Sequence, residues 1–365
     1  MYGIIQKLKK FDWILFTAIF LLLVLGLSAI YSVSLNQEGE GAAAFNRQLI
    51  FVGIGLAVFF FFSFFNYIFF RSYSRVIYIL TLILLFLVLI FGENIRGTTG
   101  WFAIGNFGFQ PVELAKIALI FFLAKFFSNR YQHFNQLKHV IVSLAGVLIF
   151  VMLILLQPDL GSAMVLVAIW FVLLLTTGVK KRYIAVLLLA VCVISMSSWL
   201  FVLKDYQKDR IFTFMHPEND PLGSGYNVAQ SMIAVGSGQF LGRGLGFGSQ
   251  SQLRFIPESQ TDFIFAVIAE ELGFFGVFLV LGLWGVIFYR LVIAAKKAPN
   301  DFAMFALLGI TVLFFFHIFV NIGMNMGMVP VTGISLPLLS SGGSFLLISL
   351  AILGVGESII VRSDK

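Results

Sequence analysis

Apolar residues run along this chain in ten long blocks separated by polar intervals. The blocks cover residues 12–33, 46–65, 73–91, 112–127, 138–156, 160–178, 183–203, 263–290, 302–326 and 342–361. A helix that crosses a bilayer needs about 20 such residues. The intervals are short except for 204–262. The pattern predicts an all-α polytopic membrane protein: one transmembrane domain over residues 1–365, with about ten helices and a long extracytoplasmic loop, 204–262, between the seventh and eighth. The first block follows Lys7, Lys9 and Lys10, as a signal peptide would, but nine more spans follow it, so it reads as an uncleaved first helix.

Composition supports lipid as the solvent. The chain is 60% hydrophobic and 11% charged, with 44 Phe, against about 45–50% and roughly 25% for a soluble domain. The single cysteine, Cys192, excludes an intrachain disulfide and lies in an apolar run as a packed thiol. A net charge of +7 suggests nucleic acid at first sight, but the basic residues flank the spans. One set of alternate connections carries sixteen of them, from Lys7 and Arg71 to Arg362 and Lys365; the other carries seven: Arg47, Arg96, Lys204, Lys208, Arg210, Arg243 and Arg254. Lys116 falls inside a span. The positive-inside rule then places both termini in the cytoplasm and 204–262 outside. The cytoplasmic connections are too short for a nucleotide-binding fold, so the chemistry belongs to the outer face, where there is no ATP.

Four outward segments differ from ordinary loops. They are Arg96 to Lys116, Gln157 to Ala163, the long loop with Tyr206 to Ser231 and Gly242 to Ala266, and Pro330 to Ser344; together they hold seven of the eight prolines. Non-helical backbone at membrane depth survives where it lines a cavity or is buried in protein. Turn punctuation explains any one segment, whereas four on one face point to a shared cavity. Glu113 and Lys116, three apart, share a helix face and can pair; the competing reading is a structural pair, or a lysine snorkelling to the interface. Glu270 and Glu271 follow Asp262 by eight and nine residues, and structural support is their favoured reading. Thr261 reads as the N-cap of the eighth helix, with Asp262 in its first turn. There Asp262 is either a compensator of the helix dipole or a general base at the membrane–water interface, and the residues alone leave this open. The run "GRGLGFG" lacks the preceding strand and the following Lys-Ser/Thr of a phosphate loop, so it reads as a tightly packed loop over the site. The four histidines show no metal-ligand spacing; His317 and Asn321, four apart, are placed to hydrogen-bond on one face.

Six motifs, in this order, carry a resemblance over nearly the whole chain: "QPVELAK", "QPDLGSA", "DPLGSGYNVAQSMIAVGSG", "PESQTDFIFAVIAEELGFFG", "NIGMNMGMVPVTGISLPLLSSGGS" and the ten-span layout itself. The chain resembles the SEDS family (shape, elongation, division and sporulation), and "GLGFGSQSQLRFIPESQTDFIFA" is more similar to its RodA, or elongation, branch than to its FtsW branch. The resemblance implies a peptidoglycan glycosyltransferase that polymerises lipid II at the outer face of the membrane, with a class B penicillin-binding protein as partner. It puts the family's critical aspartate on Asp262 and the charged pair of its fourth helix on Glu113 and Lys116. Arg210, Arg243, Arg254 and Lys116 become the candidate cations for the leaving diphosphate, with a divalent ion as a further candidate. Gln157, Asp159, Glu258, Thr261, Glu270, Ser340 and Ser341 are the remaining substrate-binding or supporting candidates. Two positions depart from the family pattern: Gly100 precedes Trp101 where an Arg is common, with Arg96 as the substitute cation, and Ser341 stands where a Tyr is usual. A lipid II flippase and a non-catalytic scaffold for the penicillin-binding protein are the competing functions. The one-sided placement of the unusual segments, and the absence of an inverted repeat, count against the flippase.

Overall fold

The computed structural model describes residues 8–35, 40–95, 98–104, 107–130, 137–187, 189–190, 208, 212, 214 and 224–363. The elements are α1 (Trp13–Ser34), α2 (Glu40–Phe64), α3 (Ile68–Phe91), β1 (Glu93–Ile95), β2 (Thr98–Ile104), β3 (Phe107–Phe109), α4 (Pro111–Ser128), α5 (Leu137–Leu155), α6 (Leu160–Thr176), α7 (Ser224–Ser237), α8 (Ser249–Gln252), α9 (Ile264–Lys296), α10 (Asp301–Asn325) and α11 (Gly343–Arg362). Seven of the described helices are long and apolar enough to cross a membrane. α4 and α6, with 18 and 17 residues, reach about 26–27 Å at 1.5 Å per residue. Nine of the ten expected spans are therefore helices. The seventh, 183–203, lies mostly outside the described residues, of which 181–187 and 189–190 are helical.

Short polar residues start the helices where the chain enters them. The Asp12 carboxylate accepts from the Leu15 N–H at 3.1 Å, Asp159 from Ser162 at 2.9 Å and Asn300 from Ala303 at 3.0 Å, each satisfying an orphan first-turn donor. At α4, Pro111 occupies the first turn, where its missing N–H is harmless.

The two ends of the bundle differ in kind. At one end, Lys125 Nζ donates to the Ser72 carbonyl at 3.1 Å, Arg362 Nη2 to the Phe64 carbonyl at 2.7 Å and Asn300 Nδ2 to Tyr67 Oη at 2.8 Å. Arg290 pairs with Asp12 at 2.6 Å, and the Asp12 N–H donates to Glu357 Oε1 at 2.8 Å. These contacts staple the starts of α1, α3 and α10 to the ends of α2, α4, α9 and α11. The opposite end carries the irregular segments.

Two of those segments are more regular than loops. The residues after α3 form a three-stranded antiparallel meander in the order β1-β2-β3, with Glu93 opposite Trp101 and Phe102 opposite Phe109. The expected long loop, 204–262, contains α7 and α8. α7 buries Val228, Ser231 and Ala234, three apart, against α9 and α10.

α2 and α11 form the most extensive helix pair, and Gly354 lets them meet: a Cβ there would stand 2.5 Å from the Phe59 carbonyl oxygen. Without a hydrophobic driving force between helices in lipid, close approach over small residues supplies the packing. Gly354→Ala is expected to cost about 1–3 kcal/mol, the range for overpacking. The measurement is the melting temperature of the detergent-solubilised protein, and an unchanged value would contradict the close crossing.

The segment 330–342 dips into the bundle without helical structure. Ile334, Leu336, Leu338, Leu339 and Ser340 are all buried. Its polar backbone is bonded to side chains from several helices, described next, which is what non-helical backbone at this depth requires.

Candidate active site

Asp262 lies in a turn, not in a helix. α9 begins at Ile264 with Phe263 as its N-cap residue and no side-chain cap. This corrects the expected capping role of Thr261, whose hydroxyl donates to Glu258 Oε2 at 2.9 Å instead. The first turn of α9 holds no acidic residue, and Asp262 stands just before the N-cap.

The turn is fastened on several sides. Ser340 Oγ donates to the Thr261 carbonyl at 2.7 Å and accepts from the Leu336 N–H at 2.8 Å. The Ser341 N–H donates to the Gln260 carbonyl at 2.7 Å. From α10, Asn321 Nδ2 and Asn325 Nδ2 donate to the Asp262 carbonyl at 2.9 and 3.0 Å. Asn321 also donates to the Ile334 carbonyl at 2.7 Å. The half-buried Asp262 carboxylate faces Gly333, where a Cβ would lie 3.6 Å from Oδ2. Gln48 of α2 closes the far side, accepting from the Gly342 N–H at 3.2 Å.

The charged pair of α4 sits beside this framework. Lys116 Nζ donates to Glu113 Oε1 at 2.8 Å, and Lys116 is 1% exposed. Its other neighbour is His317 Nε2 at 3.1 Å, on the same helix as Asn321 and one turn away, or about 6 Å along the axis. Phe345 stacks on the His317 ring at 5.1 Å and lies 6.0 Å from the ammonium, within cation–π range. Snorkelling is thus excluded for Lys116. In place of the bond for which His317 and Asn321 are spaced, His317 meets Lys116 and the Ser335 carbonyl, and Asn321 the Asp262 and Ile334 carbonyls.

Glu270 and Glu271 are fully buried and face different partners. Glu270 accepts from the Gln250 and Ser251 N–H groups at 2.8 and 3.0 Å, the start of α8, where a carboxylate is favoured. Glu271 accepts from Ser32 Oγ, and from Gln252 Nε2 at 3.2 Å. The glycine-rich run lies against this same stretch: the Arg243 and Gly244 N–H groups donate to the Glu270 and Glu271 carbonyls at 3.0 and 2.9 Å. At Gly273 the backbone turns to φ 62°, ψ −158° and kinks α9. Cβ atoms at Gly238, Gly242 and Gly273 would fall 1.9 Å from the Ala269 oxygen, 2.1 Å from the Glu271 oxygen and 2.3 Å from the Gly242 nitrogen, respectively. The run is a tightly packed loop, as its sequence suggests.

The other candidates divide. Asp159 caps α6. Gln157 is buried, its amide donating to the Leu85 carbonyl at 3.4 Å. Arg243 is exposed and donates to Ser249 Oγ at 2.7 Å, beside Glu270. Arg254 and Glu258 are exposed on the segment leading to Asp262, both with positive φ. Arg210 and Arg96 lie outside the described residues, as does Cys192. Among the described residues, no three His, Cys, Asp or Glu side chains converge as a metal site. Sequence reasoning missed Asn325, Gly333 and the role of His317; the available signal was polar residues at 317, 321 and 325, four apart in an otherwise apolar helix.

Comparisons with known proteins show what the chain as a whole is similar to. The family model FtsW/RodA/SpoVE, described as cell cycle protein, matches residues 12–365. The chain is 37% identical over 353 residues to stage V sporulation protein E of Bacillus subtilis strain 168, covering 94% of this chain and 95% of that protein. It is 36% identical over 341 residues to peptidoglycan glycosyltransferase MrdB of Escherichia coli K12, covering 93% and 92%. Among solved structures, it is similar to a chain from work on the structural coordination of polymerization and crosslinking by a peptidoglycan synthase complex. That match has a TM-score of 0.81 and 32% identity, and covers 97% of this chain and 99% of the other.

Proposed function

Since the chain belongs to the FtsW/RodA/SpoVE (SEDS) family, we propose that it is a peptidoglycan glycosyltransferase of the bacterial cytoplasmic membrane. It polymerises lipid II into β-1,4 glycan strands at the outer face during elongation, with both termini in the cytoplasm and a class B penicillin-binding protein as its cross-linking partner. The observation that supports this reading of the site is that one stretch of α10 holds both charged residues: Asn321 bonds the backbone carbonyl of Asp262, and His317, one turn away, contacts the buried Lys116 ammonium.

The chemistry follows from those two charges. The donor sugar is α-linked through C1 to a lipid diphosphate, already a good leaving group. The acceptor GlcNAc 4-hydroxyl attacks C1 from the opposite face. The O4–C1 bond forms, the bond from C1 to the diphosphate oxygen breaks, and the hydroxyl proton passes to the Asp262 carboxylate. Inversion turns the α linkage into a β-1,4 bond. A glycoside hydrolase needs a second carboxyl group as an acid; here the diphosphate departs unprotonated, and positive charge stabilises it. Lys116, in contact with His317, is one candidate cation, with Arg243, Arg254 and Arg210 as the others. A divalent ion would be held by the Asp262 carboxylate, with further ligands from diphosphate and water, as Mg²⁺ commonly takes.

The test uses the purified protein with its partner in vesicles containing lipid II. Glycan strands are expected, with no movement of labelled lipid II between leaflets above that of protein-free vesicles. Transfer between leaflets without polymer would replace the polymerase by a flippase.

A further inference from the structure

His317, Asn321 and Asn325 form a polar stripe on α10, 2%, 0% and 0% exposed. Polar groups buried in a membrane bundle persist when they are bonded, and here each is bonded to a different part of the site. The Lys116 ammonium has donors only, so His317 Nε2 accepts from it at 3.1 Å. The ring hydrogen is thereby assigned to Nδ1, which faces the Ser335 carbonyl at 3.4 Å. Asn321 bridges the Asp262 and Ile334 carbonyls. Asn325 donates to the Asp262 carbonyl, and its Oδ1 accepts from the Ala266 N–H at 3.2 Å. Both lone pairs of the Asp262 carbonyl are thus taken by amide donors from one helix.

We infer that Asn321 and Asn325 are positioning residues, with His317 as their counterpart at Lys116: the stripe holds the base and the cation in one frame. The inference rests on Asp262 being the base. Asp262 precedes an uncapped helix start, so the amide pair is what aligns its backbone with α10. A misplacement of about 1 Å at a reacting group lowers rates by around 10²-fold. The stripe touches neither reacting sugar in this scheme, so its loss acts on turnover and not on binding.

The experiment measures lipid II polymerisation by the complex with its partner, comparing Asn321→Ala, Asn325→Ser and the unaltered protein. The expected result is a fall in kcat of about 10²-fold per folded molecule, with KM within about threefold and the shape of the pH–rate profile kept, since Asp262 remains the base. Turnover within about threefold of the unaltered protein overturns the inference. So does a raised KM at unchanged kcat, which would make the asparagines substrate contacts. So does failure of both variants to fold, which would make them requirements of folding. Asp262→Asn, run alongside, separates the two levels. If it polymerises normally, the base assignment falls and this inference with it; if it is inactive while the asparagine variants are fully active, this inference falls alone.

Discussion

Replacing Asp262 by Asn is expected to slow lipid II polymerisation by about 10²–10⁴-fold, the usual contribution of a general base, while leaving the melting temperature unchanged. The amide has the shape of the carboxylate but cannot take the hydroxyl proton. Its backbone carbonyl is held by Asn321 and Asn325, and the substitution leaves those two bonds untouched. Polymer formed at the normal rate by the purified Asn variant with its partner would remove Asp262 from the mechanism.

Lys116→Met is the second large effect. Glu113 and Lys116 side chains are 9% and 2% exposed, and removing one partner leaves a buried charge uncompensated, at a cost of about 3–5 kcal/mol. Glu113 lies in the first turn of α4, where the helix dipole offsets about 0.3–1 kcal/mol of that. The double variant Glu113→Gln, Lys116→Met removes both charges and is expected to recover much of the lost stability while staying inactive. Thermal melting and polymerisation assays on the two proteins separate the structural duty of the pair from its duty toward the diphosphate. A single variant as stable and as fast as the unaltered protein would dismiss both.

The spans were legible because lipid selects composition block by block, and a run such as 302–326 admits no other reading. The Glu113–Lys116 pair was legible too, since spacing of three residues on a helix fixes proximity locally. Its third member was not. Whether His317 meets Lys116 depends on α4 lying against α10, which no local pattern encodes. The meander after α3 was hidden because its strands are three to seven residues long and interrupted by glycine, so it read as a loop. Thr261 misled for a different reason. Its type and place suit a cap, but Glu258, three residues back, offers its hydroxyl a charged acceptor, and the helix starts later. α7 escaped notice because its apolar face is narrow and includes a serine, Ser231, bonded to the Asn325 carbonyl at 2.8 Å.

The meeting of the glycine-rich run with the bend in α9 also bears on how such a protein can diverge. Gly242 and Gly273 each stand where the other's neighbouring backbone leaves no room for a methyl group, and Gly238 is pressed in the same way against Ala269. A single-residue replacement at any of the three collides with main chain, which no rotamer change relieves. Exposed positions in between, such as Leu241 and Leu245, meet no such main-chain limit within the chain, whereas the crossing itself must be inherited whole or abandoned whole.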